Sequence, residues 1–225
     1  MSLAIRLEDN VLIPAEVIDL ATFRHWATSP AFPERGRIDY LGGVLEVNMT
    51  AEERESHGIP KGKLYAWMLQ IVETTRPGRL FIDRTRLSHP KAGLSCEPDI
   101  LFVSLEALQS GRARYVPSKT DKMMEIEGEA TLVVEIISDS SVGKDLRRLP
   151  ERYFKAGVEE LWILDARGTQ PGVKFEIRHR STRGWKPAPV DPDGFQASNV
   201  LERAIRVRRQ PWVMANTWQY LVDER

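Results

Sequence analysis

The chain has 225 residues, which suits one well-buried domain, with or without a small appendage, and falls short of two ordinary domains. It carries 32 basic and 32 acidic side chains, and this zero net charge argues against a protein that coats nucleic acid without specificity, because such binding scales with the phosphates neutralised. Its single cysteine, Cys96, excludes an intrachain disulfide and a thiolate metal cluster, so any metal must bind oxygen or imidazole.

The first third of the chain predicts two helices and a hairpin. Apolar residues recur at three-residue steps between Pro14 and Ala27, and Pro14 suits a helix start. Two alternating segments, Arg37 to Leu41 and Val44 to Asn48, flank Gly42-Gly43 and predict a hairpin. A second helix is expected from Ser56 to Thr75, ahead of a proline and a glycine.

The middle of the chain predicts strands and a crossover. Extended segments are expected at Arg79 to Leu87, Asp99 to Val103 and Ala130 to Ser138, the last apolar on both faces like a central strand. A basic helix from Lys144 to Ala156, kinked or split by Pro150, leads into a buried strand from Glu160 to Asp165.

The tail predicts weaker elements. Strands are expected at Val173 to Arg180, Gly184-Trp185 and Ala204 to Arg208, followed by a short terminal helix from Trp212 to Val222. We therefore expect one α/β (α+β) domain over residues 1–225, with a core at about residues 36–166 and C-terminal strands and a helix at 173–225.

Glu135 is the most informative residue. It lies within the apolar run Thr131-Leu132-Val133-Val134-Glu135-Ile136-Ile137, where an unpaired charge costs several kcal/mol. The compensating partner is either a backbone or arginine donor, or a cation that is shared with a second acid.

Asp99 provides such a second acid, at the start of the apolar strand Ile100-Leu101-Phe102-Val103. Two strand acids close together repel each other unless a cation lies between them. Mg²⁺ takes one or two carboxylates together with waters and phosphate oxygens. These residues therefore point to phosphodiester hydrolysis by a metal-activated water.

Three stretches carry a family resemblance: Pro98-Asp99, then Leu132 to Ser138, then Tyr153 to Asp165. Together they resemble the signature of the Uma-type restriction endonucleases of the PD-(D/E)XK nuclease superfamily. The resemblance covers more than half of the chain. It implies a restriction-endonuclease-like mixed central sheet flanked by helices, with Asp99 and Glu135 on the acid positions that bind Mg²⁺ or Mn²⁺.

The chain departs from this pattern at the lysine. The superfamily's lysine, two residues after the strand acid, corresponds to Ile137, and the displaced lysine of this family corresponds to Leu149. Lys144, at the start of the following helix, is the preferred substitute, and Arg148 and Arg152 are alternatives. An arginine can stabilise phosphate charge but stays protonated, so it cannot serve as a base.

Two further residues match family positions that often complete the metal shell. Glu46 lies on the hairpin, where an exposed acid is the ordinary alternative. His57 starts the second helix, where it can ligate a metal, relay a proton or pack as a polar residue.

The leading hypothesis is a DNA endonuclease that uses Asp99, Glu135 and Glu46 as metal ligands. One alternative is a nuclease-derived binding or assembly module without turnover, and another is a hydrolase of a small phosphorylated substrate. We expect no membrane partner and a cytoplasmic location, because residues 1–10 lack a secretory signal and no apolar run approaches the ~20 residues of a membrane span. The Trp-bearing tail suits either a homodimer interface or intramolecular packing.

Overall fold

The computed structural model describes residues 4–7, 11–75, 77–117, 123–168 and 171–225. Its strands, in chain order, are β1 (Ile5–Arg6), β2 (Leu12–Ile13), β3 (Arg37–Leu41), β4 (Val44–Asn48), β5 (Gly78–Ile82), β6 (Arg86–His89), β7 (Leu94–Cys96), β8 (Ile100–Ser104), β9 (Ala113–Pro117), β10 (Met123–Gly128), β11 (Leu132–Ile136), β12 (Glu160–Asp165), β13 (Lys174–Ser181), β14 (Gly184–Pro187), β15 (Gln196–Ser198), β16 (Arg203–Pro211) and β17 (Trp218–Glu224).

The helices are α1 (Leu20–Ala27), α2 (Ile59–Thr75), α3 (Leu105–Gln109) and α4 (Leu149–Lys155). Single π-helical turns, Arg54–Gly58 and Lys144–Arg148, lead directly into α2 and α4. The predicted basic helix is thus divided just before Pro150, which is the second residue of α4.

A mixed six-stranded sheet, here called the central sheet, has the order β14-β13-β12-β11-β8-β5. Strands β11 and β12 are parallel and the π-helical turn and α4 connect them, as the sequence predicts, while the other pairs are antiparallel. All five residues of β11 are buried, because both faces of the sheet are covered. The predicted mixed central sheet flanked by helices is confirmed.

Different elements cover the two faces of the central sheet. On one face, Leu64 and Met68 of α2 and Ile205 of β16 pack against Leu132 and Val134. On the other face, Leu149 and Tyr153 of α4 pack against Val133 and Ile137. Alternation along β11 therefore directs Glu135 towards the α4 side, the same side as Val133 and Ile137.

A second six-stranded sheet, the hairpin sheet, has the order β4-β3-β7-β6-β10-β9. The predicted hairpin of β3 and β4 forms its edge with the expected register. The single strand predicted from Arg79 to Leu87 is wrong: Asp83 and Arg84 both adopt positive φ angles, of 43° and 48°. This break sends β5 into the central sheet and β6 into the hairpin sheet.

The first helix is shorter than predicted. Asp19 caps α1 through a capping box with Thr22, so the helix begins at Leu20 and not at Pro14. Within the helix, the predicted three-residue spacing places Phe23 and Trp26 on one buried face, where they pack with Val11 and Ile38.

The predicted terminal helix from Trp212 to Val222 is wrong. Strand β17 begins at Trp218 and pairs antiparallel with β16, and β15 completes a three-stranded C-terminal sheet. Trp218, Tyr220 and Val222 occupy alternate positions, as in a strand, although the same stretch also fits a helical period. Its pairing with the long strand β16 makes it a strand. In the described part of the chain, no helix is long and apolar enough to span a membrane.

Candidate active site

The two strand acids lie opposite each other on neighbouring strands. Antiparallel pairing of β8 with β11 sets Ile100 against Val134, and the same register continued by one residue sets Asp99 against Glu135. Asp99 Oδ2 accepts the backbone N–H of Ile136 at 2.8 Å, which fixes the aspartate against β11. Both acids are fully buried. The structure therefore brings together the two acids that the sequence singles out.

Glu135 is held by one donor. The hydroxyl of Tyr153 donates a hydrogen bond to Oε1, while the buried Oε2 has no hydrogen-bond partner in the described residues. Burial raises the pKa of Glu135 well above its usual range, and the neighbouring negative charge of Asp99 raises it further. The free oxygen and the raised pKa indicate a carboxylate whose charge lacks full compensation.

Asp99 has the opposite environment. Burial alone would raise its pKa, but the guanidinium of Arg37, with Nη2 at 3.0 Å from Oδ1, and the ring of His57 outweigh burial and hold the pKa well below its usual range. Asp99 thus stays ionised beside Glu135. The pair consists of one compensated and one incompletely compensated carboxylate.

His57 lies between two carboxylates. Its Nε2 is 3.3 Å from Asp99 Oδ2, and its Nδ1 is 2.9 Å from Glu52 Oε1. Burial lowers the pKa of His57, but the hydrogen bonds with Asp99 and Glu52 outweigh this and raise it above the ordinary value. Because both ring nitrogens of His57 already contact carboxylates, the assignment of His57 as a ligand stays a prediction that requires one of these contacts to open.

Lys144 is buried beside the acids and pairs with Asp39 of β3. Its Nζ lies 2.9 Å from Asp39 Oδ2 and 3.8 Å from Asp145 Oδ1. Burial lowers the pKa of Lys144, but these two acids outweigh it and raise the pKa above the ordinary lysine value. Lys144 is therefore a fixed cation in this arrangement rather than a base.

Glu46 and Arg148 contact each other. The guanidinium of Arg148 binds both carboxylate oxygens of Glu46, with Nε at 2.5 Å from Oε1 and Nη2 at 3.0 Å from Oε2. About half of the Arg148 side chain is exposed. The roles predicted for Glu46 in metal binding and for Arg148 in catalysis stay predictions, and the first requires this ion pair to open.

The two lysine positions of the family pattern are buried in the apolar core. Ile137 and Leu149 are almost inaccessible and pack in the same cluster as Tyr153. Arg152, the other alternative cation, donates to the backbone oxygen of Ala92. Among these candidates, only Lys144 combines burial with a cationic group next to the acid pair.

A cavity of about 1490 Å³ opens beside the acid pair. Its wall includes Arg37 and His57, which contact Asp99, together with Glu52, which contacts His57, and Lys144. The N-terminal segment around Ala31 to Gly36 forms another part of the wall. The cavity gives a substrate a path to residues that surround two fully buried carboxylates.

Sequence reasoning missed three residues that shape the site. Arg37 and Asp39 alternate along β3, and both point to the acid pair or to Lys144. Tyr153 begins one of the stretches that carry the family resemblance, and its hydroxyl is the donor to Glu135. A charged residue at every second position of a hairpin strand was the signal available for Arg37 and Asp39.

The donor set fits a hard divalent cation. Glu135 Oε2 is a buried oxygen without a hydrogen-bond partner among the described residues. Asp99 Oδ1 uses one of its two lone pairs for Arg37, while Oδ2 accepts the N–H of Ile136 and contacts His57 Nε2. No group of three or more His, Cys, Asp or Glu side chains converges on one point within the described ranges. Mg²⁺ commonly binds through one or two carboxylates and takes its other ligands from water and phosphate.

Comparisons with known proteins bear on the fold and the family of the chain. A crystal structure from Anabaena variabilis ATCC 29413, described as "a putative nuclease belonging to DUF820", superimposes with a TM-score of 0.54 at 14% identity and covers 73% of this chain and 83% of that chain. At this identity the likeness shows the fold alone. A search of curated proteins found no match. The sequence model of the Uma2 family, described as "Putative restriction endonuclease", matches residues 20–209. Because that match spans most of its length, the chain belongs to the Uma2 family of nuclease-like proteins.

Proposed function

We propose that this protein is a metal-dependent endonuclease that hydrolyses phosphodiester bonds in DNA. The observation that carries the proposal is the buried pair of Asp99 and Glu135, in which Glu135 Oε2 lacks a partner among the described residues. Membership of the Uma2 family supports a nuclease. The acid pair supports metal dependence, because two neighbouring carboxylates favour a shared cation.

Asp99 and Glu135 would hold Mg²⁺ or Mn²⁺, which supplies Lewis acidity and an activated water when bound. The surrounding residues orient the two acids: Arg37 and the backbone N–H of Ile136 fix Asp99, and Tyr153 fixes Glu135. Such fixed partners hold ligands in place before the metal arrives.

Lys144 is the residue that we assign to charge stabilisation. It reaches the cavity wall, is permanently protonated and is held by Asp39 beside the acid pair. A buried cation in this place lowers the energy of negative charge that develops on a phosphate in the transition state. Because its pKa is raised, Lys144 does not take the part of a general base.

The test is cleavage of supercoiled and of single-stranded DNA with Mg²⁺ or Mn²⁺, with wild type compared with Glu135→Ala and Lys144→Ala. We expect Glu135→Ala to abolish cleavage and Lys144→Ala to reduce it by at least the ~10²-fold that loss of one preorganised charge contact costs. Glu176→Ala removes an acid from β13 of the same sheet and serves as the matched control, with unchanged cleavage expected.

Metal binding is measured separately from cleavage. The double variant Asp99→Ala, Glu135→Ala is expected to lose Mn²⁺ binding in a calorimetric titration. Equal Mn²⁺ affinity in wild type and in the double variant would contradict the metal site, whatever the DNA assay shows.

The second candidate function is a DNA-binding or assembly module without turnover. The burial of Ile137 and Leu149 in the family's two lysine positions favours it. A wild-type protein that binds Mn²⁺ and DNA but cleaves neither form of DNA would support the module over the nuclease.

A further inference from the structure

The hairpin of β16 and β17 ends in an exposed apolar tip, defined here as Trp212, Val213 and Met214. The exposed fractions of these side chains are 56%, 82% and 64%. The turn is closed by hydrogen bonds from Trp212 N to Thr217 O at 3.0 Å and from Thr217 N to Met214 O at 3.2 Å. Backbone hydrogen bonds thus hold three exposed apolar side chains in a formed turn, which is an unusual use of surface.

The contacts of β17 place this tip relative to α2. Near the C-terminal end of the strand, Glu224 accepts the indole N–H of Trp67, which lies midway along α2. Near its start, Trp218 N donates to Glu55 Oε2 at 3.1 Å and Tyr220 Oη donates to Glu55 O at 2.8 Å. The hairpin therefore runs along α2, and its tip extends beyond the π-helical turn that precedes α2 and carries His57.

The contacts of β16 give the same placement independently. Arg209 donates to the backbone oxygens of Ala166 at 2.6 Å and Gly168 at 2.9 Å, directly after the C-terminal end of β12. Strand β11 is parallel to β12, so Glu135 and the cavity-lining Ser138 to Ser141 lie at this same end of the central sheet. Both strands of the hairpin thus bring the tip to the edge of the candidate active site.

The position of the tip indicates what contacts it. Residues 203–225 carry a net charge of +3, which the pairing of Arg225 with Asp191 and Asp193 lowers to +1. The hairpin is therefore weakly basic and does not repel a polyanion. Because the tip lies at the edge of the candidate active site, the DNA substrate of the proposed nuclease would pass it. A DNA strand offers the faces of its bases to an exposed aromatic side chain.

We propose that the tip is a nucleic-acid contact, in which Trp212 stacks on an unpaired base of the strand that enters the active site. This inference rests on the proposed function, because it takes DNA as the substrate. Aromatic rings bind bases of any sequence through their faces, so the tip would favour single-stranded or locally opened DNA without reading its sequence.

The test measures binding of a short fluorescein-labelled DNA single strand, and of the matching duplex, by fluorescence anisotropy. The full chain with Glu135→Ala is the parent protein, so that the strand stays intact. In this background, Trp212→Ala is expected to weaken single-strand binding on the order of tenfold, the loss of one stacked base. Trp212→Phe keeps a ring and is expected to restore most of the affinity, and duplex affinity should change little.

Folding and assembly are checked with the same variants. Because Trp212 is exposed, the thermal midpoint of Trp212→Ala should match that of the parent, and sedimentation should give the same mass. Unchanged single-strand affinity in Trp212→Ala would overturn the inference while leaving the proposed nuclease intact. A fall in mass with unchanged DNA affinity would assign the tip to a second copy and also overturn it. A parent that binds neither DNA form would remove the proposed substrate and the tip contact together.

Discussion

The hydroxyl of Tyr153 donates to Oε1 of Glu135, and the other oxygen of that buried carboxylate has no partner among the described residues. The two residues are 18 positions apart, on α4 and β11, and both are completely inaccessible to solvent. The tyrosine therefore determines which oxygen of Glu135 stays available, and α4 acts as a support for the acid strand as well as a cover for the core.

Replacement of Tyr153 by Phe should weaken metal binding with little change in shape. The variant removes the hydroxyl donor of a buried carboxylate, which costs about 1–3 kcal/mol of stability for an unsatisfied buried group. We expect a lower free energy of unfolding in urea and a weaker Mn²⁺ affinity in calorimetry. Cys96→Ala is the matched control, since Cys96 contacts the same hydroxyl at 3.4 Å. Equal Mn²⁺ affinity in Tyr153→Phe and wild type would remove the positioning role.

Lys144 and Arg148 should differ strongly in their effect on stability. Lys144→Ala leaves the buried Asp39 without its cation, and loss of one partner from a buried pair costs roughly 3–5 kcal/mol. Arg148→Ala breaks a half-exposed pair with Glu46, which contributes at most about 1 kcal/mol. Urea denaturation of both variants measures the difference.

The double variant Asp39→Asn, Lys144→Ala supplies the control for that comparison. Asp39 Oδ1 accepts the backbone N–H of Glu97 at 3.1 Å, and the amide oxygen of the substituted side chain would still accept it without carrying an uncompensated charge. Recovery of much of the lost stability is expected. If Lys144→Ala proves as stable as Arg148→Ala, the ion pair with Asp39 contributes little.

Asp145 should make folding stability depend on pH. Burial raises its pKa, Lys144 opposes this, and the net result is a pKa of about 6 against 3.8 for the ordinary group. A folded pKa above the unfolded value means that the contribution to stability is complete below about pH 3.8 and is lost as the pH rises through 6. Asp145→Asn should therefore become more stable relative to wild type as the pH rises from about 4 to about 6, by about 1–3 kcal/mol.

The comparison for Asp145 is Asp139→Asn, which changes an acid that is almost fully exposed in the same connection. The thermal midpoints of wild type, Asp145→Asn and Asp139→Asn are measured across this pH range, and the difference from wild type should change with pH only for Asp145→Asn. A constant difference between Asp145→Asn and wild type would show that Asp145 has an ordinary pKa in the folded protein.

Cys96 should be unreactive in the folded protein. Burial raises the pKa of its thiol well above the ordinary value, and the side chain is inaccessible between Tyr153 and the surrounding core. The thiolate is the reactive form, so iodoacetamide at about pH 8 should modify Cys96 only in urea. Rapid modification of the native protein would indicate that the core beneath Glu135 opens locally.

The acid pair could be predicted from the sequence because a charge inside an apolar strand is visible without any knowledge of its neighbours. Glu135 follows from that signal, and Asp99 follows as a second acid at the start of another apolar strand. The partners of these acids could not be predicted, since Arg37 and Tyr153 look like ordinary hairpin and helix residues until the fold brings them into contact.

The errors in the predicted fold also arise because contacts between distant segments cannot be seen in the local sequence. The break between β5 and β6 depends on two residues with positive φ angles, Asp83 and Arg84, that carry no glycine or proline signal. The stretch from Trp212 to Val222 fits both helical and alternating periods, and its pairing with β16 settles which one forms. The local sequence pattern thus predicts the central strands, which are buried on both faces, better than it predicts the outer strands of the sheets.

Strand β3 supplies one cation of the site, Arg37 on Asp99, and holds the other, Lys144, through Asp39, across sequence separations of 62 and 105 residues. Such contacts close long chain loops, whose entropic cost grows only slowly with length. Arg37 is the cation that holds the charge of Asp99 beside Glu135, so the N-terminal hairpin stabilises the acid pair in the folded chain. Loss of that hairpin should therefore destabilise the acid strand before it affects any chemistry.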